Sequence, residues 1–368
     1  MEAVETTVKG VVAPRPVRPW GWLLWGVGVV ALYALILICT LALPANHPLH
    51  LSVYLMTLIG KIMCYAIVAL ALNLVWGYTG ILSLGHGLFF TLGGYAMGMY
   101  LMRSIGLDGV YHSPLPDFMV FLDWKALPWF WQGTDHFLYA LLLVVLVPGL
   151  LAWIFGFFAF RSRVRGVYLS IMTQALTFAA MLLFYRNETG FGGNNGFTDF
   201  KRILGFPITA PGTRTVLFLA TLTVLLLSLL ASRFIVRSRL GQVLTAIRDG
   251  ESRLTFLGYN PLGYKLFIWT FSAVLCGIAG ALYVPQVGII NPNEMSPANS
   301  IEMAIWVAVG GRGTLFGPIL GAVCVNAAKS YLTASFSSSW LYFLGAIFVL
   351  VPIFLPRGLV GLLQRRRK

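Results

Sequence analysis

Long apolar runs alternate with short polar joints along this chain, and the spacing of the joints predicts its elements. Runs near residues 21–43, 51–76, 82–102, 138–160, 167–186, 214–236, 265–287 and 338–355 each come close to or exceed the about 20 residues that a helix needs to cross about 30 Å of hydrocarbon. Backbone N–H and C=O groups find no water in lipid, so a crossing segment has to be a helix or part of a closed barrel. These runs are too long and too evenly apolar for barrel strands, which alternate over roughly ten residues. The predicted fold class is all-α, a polytopic membrane helical bundle with about 8–10 transmembrane passes. Run 21–43 is long for the apolar core of a signal peptide and lacks a small-x-small cleavage site, so it reads as a spanning helix.

Two places break the pattern inside the membrane. Alternation of the spans puts both flanks of 301–333 on the same side, although two full crossings need about 40 residues. The glycines and Pro318 of "GGRGTLFGP" interrupt this stretch, predicting a half-helix over 300–310, a turn, and a longer helix: a broken or re-entrant pair. "GYTGILSLGHG" at 77–87 is a comparable break in the first half. Paired breaks are what inverted repeats place around a transport path.

Residues 237–266 are the polar exception. Leu240, Val243, Leu244, Ile247 and Leu254 recur at helical spacing, with Arg239, Arg248, Asp249, Glu251 and Arg253 on the other face. "GYNP" at 258–261 ends that helix, with Gly258 near its C-terminus. Two readings stand for it: a docking helix for a partner, or an interfacial helix lying on lipid headgroups. The acidic residues on the wet face fit the first better.

Composition agrees with a membrane protein that has no soluble domain. The chain is 58% hydrophobic and 10% charged, with mean hydropathy +0.82. Its net charge of +14 is explained by topology: a cytoplasmic N-terminus puts the basic residues of 9–18, 161–165, 233–265 and 357–368, 17 of the 26 Lys and Arg, on one side. Both termini are then cytoplasmic, and nucleic acid is not needed to account for the charge. The organisation predicted is a cytoplasmic tail over 1–20, a transmembrane domain over 21–363 and a basic tail over 364–368. Loops 103–137 and 186–213 fall outside the cytoplasm; the first, with "DWKALPWFWQG", reads as an aromatic belt on the outer leaflet, and the second, with "GFGGNNGF", as turns or a docking platform.

Catalytic and metal chemistry find little support. Cys39, Cys64, Cys276 and Cys324 lie in apolar runs without CxxC spacing and read as packing residues. HExxH, GxSxG and paired core carboxylates are missing, as is GxxxxGK[ST], so the chain has no phosphate loop of its own. A passive channel or secondary transporter would not need the docking helix.

"GQVLTAIRDGESRLTFLGYNPLGYKL" with the following "FSAVLCGIAGALY" resembles the cytoplasmic coupling loop and next helix of ABC-importer permeases of the branched-chain amino acid and urea type. "NLVWGYTGILSLGHGLFFTLGGY", "RSRVRGVYLSIMTQALTFAAMLLFY" and "GGRGTLFGPILGAV" carry the same resemblance, which spans roughly residues 50–363. "RNETGFGGNNGFTDFKRILGF" at 186–206 resembles the second permease subunit of the urea branch more than amino-acid permeases. The resemblance implies a permease subunit of an ATP-driven importer in a bacterial inner membrane, moving urea, or alternatively a branched-chain amino acid or short amide. It further implies a second homologous permease subunit, two cytoplasmic ATPase subunits that bind the ATP and Mg, and an extracytoplasmic substrate-binding protein, with no cofactor in this chain. ATPase coupling would fall on Arg239, Ala246, Arg248, Glu251, Arg253 and Gly258.

Polar groups inside the spans are the candidates for contact with a solute. They include Asn73, Ser83, His86, Thr173, Gln174, Thr177, Glu302, Asn326 and Lys329. For a neutral amide the expected path is Asn73, His86, Thr173, Gln174, Thr177 and Glu302, rich in amides and hydroxyls. Each has a plainer reading: a capping or packed residue for Glu302 and His86, interhelical glue for the Gln174 stripe.

Overall fold

The computed structural model describes residues 30–31, 33–42, 47, 51–336, 342, 345–346, 350 and 358–365. The predicted spans at 21–43 and 338–355 lie largely outside these residues, and the tail 1–20 wholly so. The chain divides into two units, Met1–Ser52 and Val53–Lys368. In the first, residues 33–37 are helical and pass into a π-helical turn, Ile38–Ala42.

The second unit is built from helices α1 (Val53–Thr79), α2 (His86–Arg103), α3 (Asp117–Phe121), α4 (Phe137–Arg161), α5 (Val167–Phe184), α6 (Pro211–Arg237), α7 (Arg239–Phe256), α8 (Pro261–Val287), α9 (Pro297–Gly310), α10 (Gly317–Ser335) and α11 (Gly358–Arg365). Among the described residues, α1, α4, α5, α6 and α8 are long and apolar enough to cross a membrane. Helix α1 is the axis, buried almost throughout from Gly60 to Thr79, with α6, α8, α9 and α10 packed on it. The expected break in 301–333 is present: α9 has 14 residues, α10 has 19, and Gly311–Phe316 between them is not helical.

Local chemistry sets the ends of these helices. Pro261 opens α8 behind Asn260, whose side chain accepts from Leu262 N at 3.1 Å. Ser296 caps α9 before Pro297 in the same way. Gly288 closes α8 at φ 85°, a left-handed conformation that glycine adopts freely.

Glycines also let α2 and α8 touch backbone to backbone. A Cβ on Gly280 would sit 1.9 Å from the Phe90 carbonyl oxygen, and one on Gly93 would sit 2.0 Å from that of Gly277. Close approach of this kind is how membrane helices gain packing contacts when lipid supplies no hydrophobic drive between them.

Four two-residue strands lie in the loops. Phe197–Thr198 (β1) pairs antiparallel with Ile289–Ile290 (β4), Phe197 opposite Ile290, while Arg202–Ile203 (β2) and Phe206–Pro207 (β3) form a small hairpin. Some aromatic residues of 103–137 pack on the chain itself: Phe118 stacks on Phe197 at 5.1 Å, Phe130 on Phe191 at 5.9 Å, and Trp131 donates to the Gly190 carbonyl at 3.0 Å. The reason is that loop 186–200 offers them an aromatic surface of its own, so only residues such as Trp129 and Phe121 stay exposed.

Replacing Gly280 by Ala should destabilise the folded chain by about 3 kcal/mol or more, because the clash is with backbone. Gly263→Ala, where nothing lies within 4 Å, should be close to neutral; thermal unfolding followed by size-exclusion chromatography in detergent separates the two.

Candidate functional site

The segment after α8 turns back into the bundle. Ile290 packs on Gly94 and Gly98 of α2, while the Glu294 carbonyl reaches Gly87 near the start of that helix, so residues 289–295 run down alongside α2. Helix α9 therefore starts inside the bundle, and its first turns present polar groups to α1 and α10.

These groups meet in a cavity of about 220 Å³ whose charged walls are Lys61 (α1), Glu294, Glu302 (α9) and Lys329 (α10), with Tyr65 and Trp306 beside them. Lys329 Nζ donates to Glu302 Oε2 at 2.7 Å. Glu302 is 5% exposed, and its other oxygen, Oε1, has no partner; neither has Trp306 Nε1. Tyr283 donates to Glu294 Oε1 at 3.1 Å. Lys61 Nζ lies 5.7 Å from the Tyr65 ring and 6.0 Å from the Tyr283 ring, a cation–π arrangement, and makes no ion pair among the described residues. Two amino and two carboxyl groups thus share one small, mostly polar enclosure. Buried polar atoms without partners are uncommon in proteins, and Glu302 and Trp306, which carry one each, both line the cavity.

Of the six residues expected on the path, only Glu302 borders this cavity. Asn73 is fully buried; its amide donates to Thr314 O at 2.8 Å and accepts from Gly313 N at 2.9 Å. His86 bridges Ser83 Oγ at 2.9 Å and Ser272 Oγ at 2.8 Å. Because Ser272 donates to Ala71 O, it accepts from His86 Nε2, which fixes one neutral tautomer. Thr173 accepts from Leu84 N and donates to Ser170 O, and Thr177 donates to Thr173 O. With Ser170, which bonds Leu82 O at 2.8 Å, Thr173 satisfies the backbone of the first break. The Gln174 amide is buried without a partner and does not border the cavity. Sequence reasoning missed Lys61, Tyr65, Glu294 and Trp306; the intramembrane Lys61 and Lys329 were the usable signal.

Residues 54–352 match the family described as the permease component of branched-chain amino acid transport systems. The chain belongs to that family. It is 28% identical to the high-affinity branched-chain amino acid transport system permease protein LivM of Escherichia coli, over 91% of this chain and 76% of that protein. It is 24% identical to the probable LivM of Methanocaldococcus jannaschii, over 80% of this chain and 90% of that one. Escherichia coli LivH, a high-affinity permease protein of the same transport class, is 21% identical over 81% of this chain and 91% of its own length. No solved structure matches. As a permease component the chain is a transport subunit, not a catalyst.

In this permease α7 consists of two helical pieces joined at Gly250, where the backbone is extended. Leu244, Ile247 and Leu254 face inward as the periodicity predicted. Two of the charges on the expected wet face are tied to the rest of the bundle, Arg248 while still exposed and Glu251 half-buried. Arg248 Nη1 donates to the Gly77 carbonyl at the end of α1, at 2.9 Å, while its Nε donates to Asp249 and holds that carboxyl below the usual carboxylate range. Glu251 joins Lys265, at 2.5 Å, to Arg165, at 3.3 Å, because α8 and the α4–α5 turn bring two cations beside it. Arg239, Arg253 and Gly258 are exposed, Ala246 half-buried, and Gly258 has φ 84° just past the helix end.

Lys329→Met should lower thermal stability more than the double change Lys329→Met with Glu302→Gln, since the single change leaves a carboxylate unpaired. The expected loss for the single variant is about 2 kcal/mol, below the usual 3–5 for buried pairs because the Lys329 side chain is 31% exposed. A double-mutant cycle on unfolding midpoints measures the difference.

Proposed function

We propose that this permease and a second homologous permease subunit form the membrane path of an ATP-driven importer for branched-chain amino acids. The cavity carries the substrate half of that reading. A free amino acid carries an ammonium and a carboxylate; Glu302 Oε1, without a partner, is placed to accept from the first, and Lys61 to donate to the second. Met303, beside Tyr65 and Trp306, would meet the aliphatic side chain. Urea, favoured by the resemblance of residues 186–206, is neutral and gains little from four full charges. The names of the relatives likewise concern amino acids.

Coupling to two cytoplasmic ATPase subunits, which would hold the ATP and Mg, is assigned to the tip of α7. Phe256 is 91% exposed and Leu257 74%, next to the exposed Arg253, and an apolar patch with a charged rim marks a protein contact. An extracytoplasmic binding protein would deliver substrate to the loops around β1 and β4. The basic bias supports a bacterial inner-membrane location with both termini on the cytoplasmic side.

In cells lacking this chain, its return should restore uptake of labelled leucine, competed by valine and not by urea. Lys61→Met and Glu302→Gln should each lower that uptake roughly tenfold to a hundredfold, the size of a lost charged hydrogen bond, whereas Gln174→Leu should stay within about twofold, less than one net neutral hydrogen bond. Restored urea uptake without leucine uptake would overturn the substrate. A second measurement addresses the docking: Phe256→Asp with Leu257→Asp should abolish co-purification of the ATPase while the permease remains in the membrane.

A further inference from the structure

A second charged cavity lies at the opposite end of the bundle from β1 and β4, where α4 ends and α8 begins. It measures about 490 Å³ and is lined by Arg161, Arg163, Arg165 and Lys265 around the single carboxylate of Glu251. That carboxylate is already shared between Lys265 and Arg165. Arg161 and Arg163 make no ion pair among the described residues; Arg161 rests on the Phe157 ring at 5.6 Å. Arg163 is exposed, and its backbone stands at φ 56°, a left-handed conformation uncommon for a side chain of its size.

On the other side of the same turn is an apolar groove of about 350 Å³ between α4 and α5. Its walls include Leu151, Ile154, Phe155, Phe158, Met172 and Leu176, and Ser162 and Val164 close its end. Residues of 158–165 thus line the groove and the basic cavity in alternation. Phe158, Ile154 and Met172 are exposed on helices apolar enough to span the membrane, so the groove opens where acyl chains are. The basic cavity lies where those spans end, at headgroup level.

We propose that the α4–α5 turn binds an anionic phospholipid, its phosphate held by Arg161 and Arg163 at the mouth of the basic cavity and one acyl chain in the groove. Planar guanidinium groups match phosphate in two-pronged geometry, and basic pockets between spanning helices suit anionic headgroups. The groove is what selects a lipid over a soluble phosphate. The bound lipid would brace the turn whose Arg165 holds Glu251 of α7.

The test uses the full chain purified in detergent, with native mass spectrometry and thermal shift as readouts and added phosphatidylglycerol, phosphatidylcholine or glycerol 3-phosphate as probes. Phosphatidylglycerol should be retained and should raise the melting temperature, with phosphatidylcholine weaker and glycerol 3-phosphate inert. Arg161→Gln with Arg163→Gln should weaken phosphatidylglycerol binding roughly thirtyfold, and the Lys pair at the same positions, which keeps the charge and loses the two-pronged geometry, should restore it only in part. Met172→Trp, which fills the groove, should weaken lipid binding with the arginines intact. Equal retention of both lipids, competition by glycerol 3-phosphate, or an unchanged Gln pair that elutes as a single folded species would each overturn the proposal.

Discussion

A helix interrupted inside a membrane has to find protein partners for the backbone groups it frees, and the rest of this permease is arranged around that requirement. At the second break the partner is one side chain. Asn73 spends its carbonyl on Gly313 N and its amide on Thr314 O, while Thr314 Oγ1 bonds the Gly311 carbonyl and accepts from Gly317 N. A side-chain amide carries a donor and an acceptor on separate atoms, so Asn73 can serve two neighbouring backbone groups of the turn at once. Glycine at 313 is equally constrained, with φ 79°, as is Gly77, where a Cβ would lie 2.3 Å from Asn73 Oδ1 and 2.7 Å from Gly313 N.

The first break is closed by the same logic with different chemistry. Hydroxyls of Ser170 and Thr173 on α5 take up Leu82 O and Leu84 N, and His86 at the restart of the helix is tied to Ser83 and Ser272. Polar residues that look like solute contacts in a sequence are thus engaged in holding irregular backbone. Of the residues expected along the path, Glu302 alone borders the cavity, whose other charged side chains are Lys61, Glu294 and Lys329.

That division explains which parts of the molecule were legible beforehand. Helix type, the two breaks and the inward face of α7 follow from runs, glycines and periodicity, all local signals. Spacing also placed Thr173, Gln174 and Thr177 on one helical stripe, yet a stripe does not say which neighbour it meets, and Thr173 meets residues 84 and 170 instead of a cavity. Lys61, Glu294 and Lys329 are remote in sequence and become neighbours only because 289–295 folds back along α2. Glu251 looked solvent-exposed because nothing in α7 itself reveals Lys265 or Arg165, and Arg248, which is exposed, gave no sign of its bond to the Gly77 carbonyl.

The position of Arg248 joins the two functional regions. It bonds the Gly77 carbonyl, its side chain packs within 3.1 Å of where a Cβ on Gly80 would lie, and its Nη1 lies 3.8 Å from the Cβ position of Gly313. One residue therefore bonds the end of α1 through its guanidinium and lies beside both breaks. From Gly313 the chain leads back through α9 to Trp306 and Glu302 at the cavity, and from Gly77 back through α1 to Tyr65 and Lys61. Both walls of the cavity are consequently rooted, a few helical turns away, in the contact that α7 makes with the bundle. Packed interiors transmit displacement because they have little free volume in which to absorb it, and α1 is buried along nearly all of that distance. Movement of α7 relative to Gly77 and Gly313 must then either break the Arg248 contact or shift α1 against α9, and the second alternative changes the separation of Lys61 from Glu302, the two groups on which a zwitterion would depend.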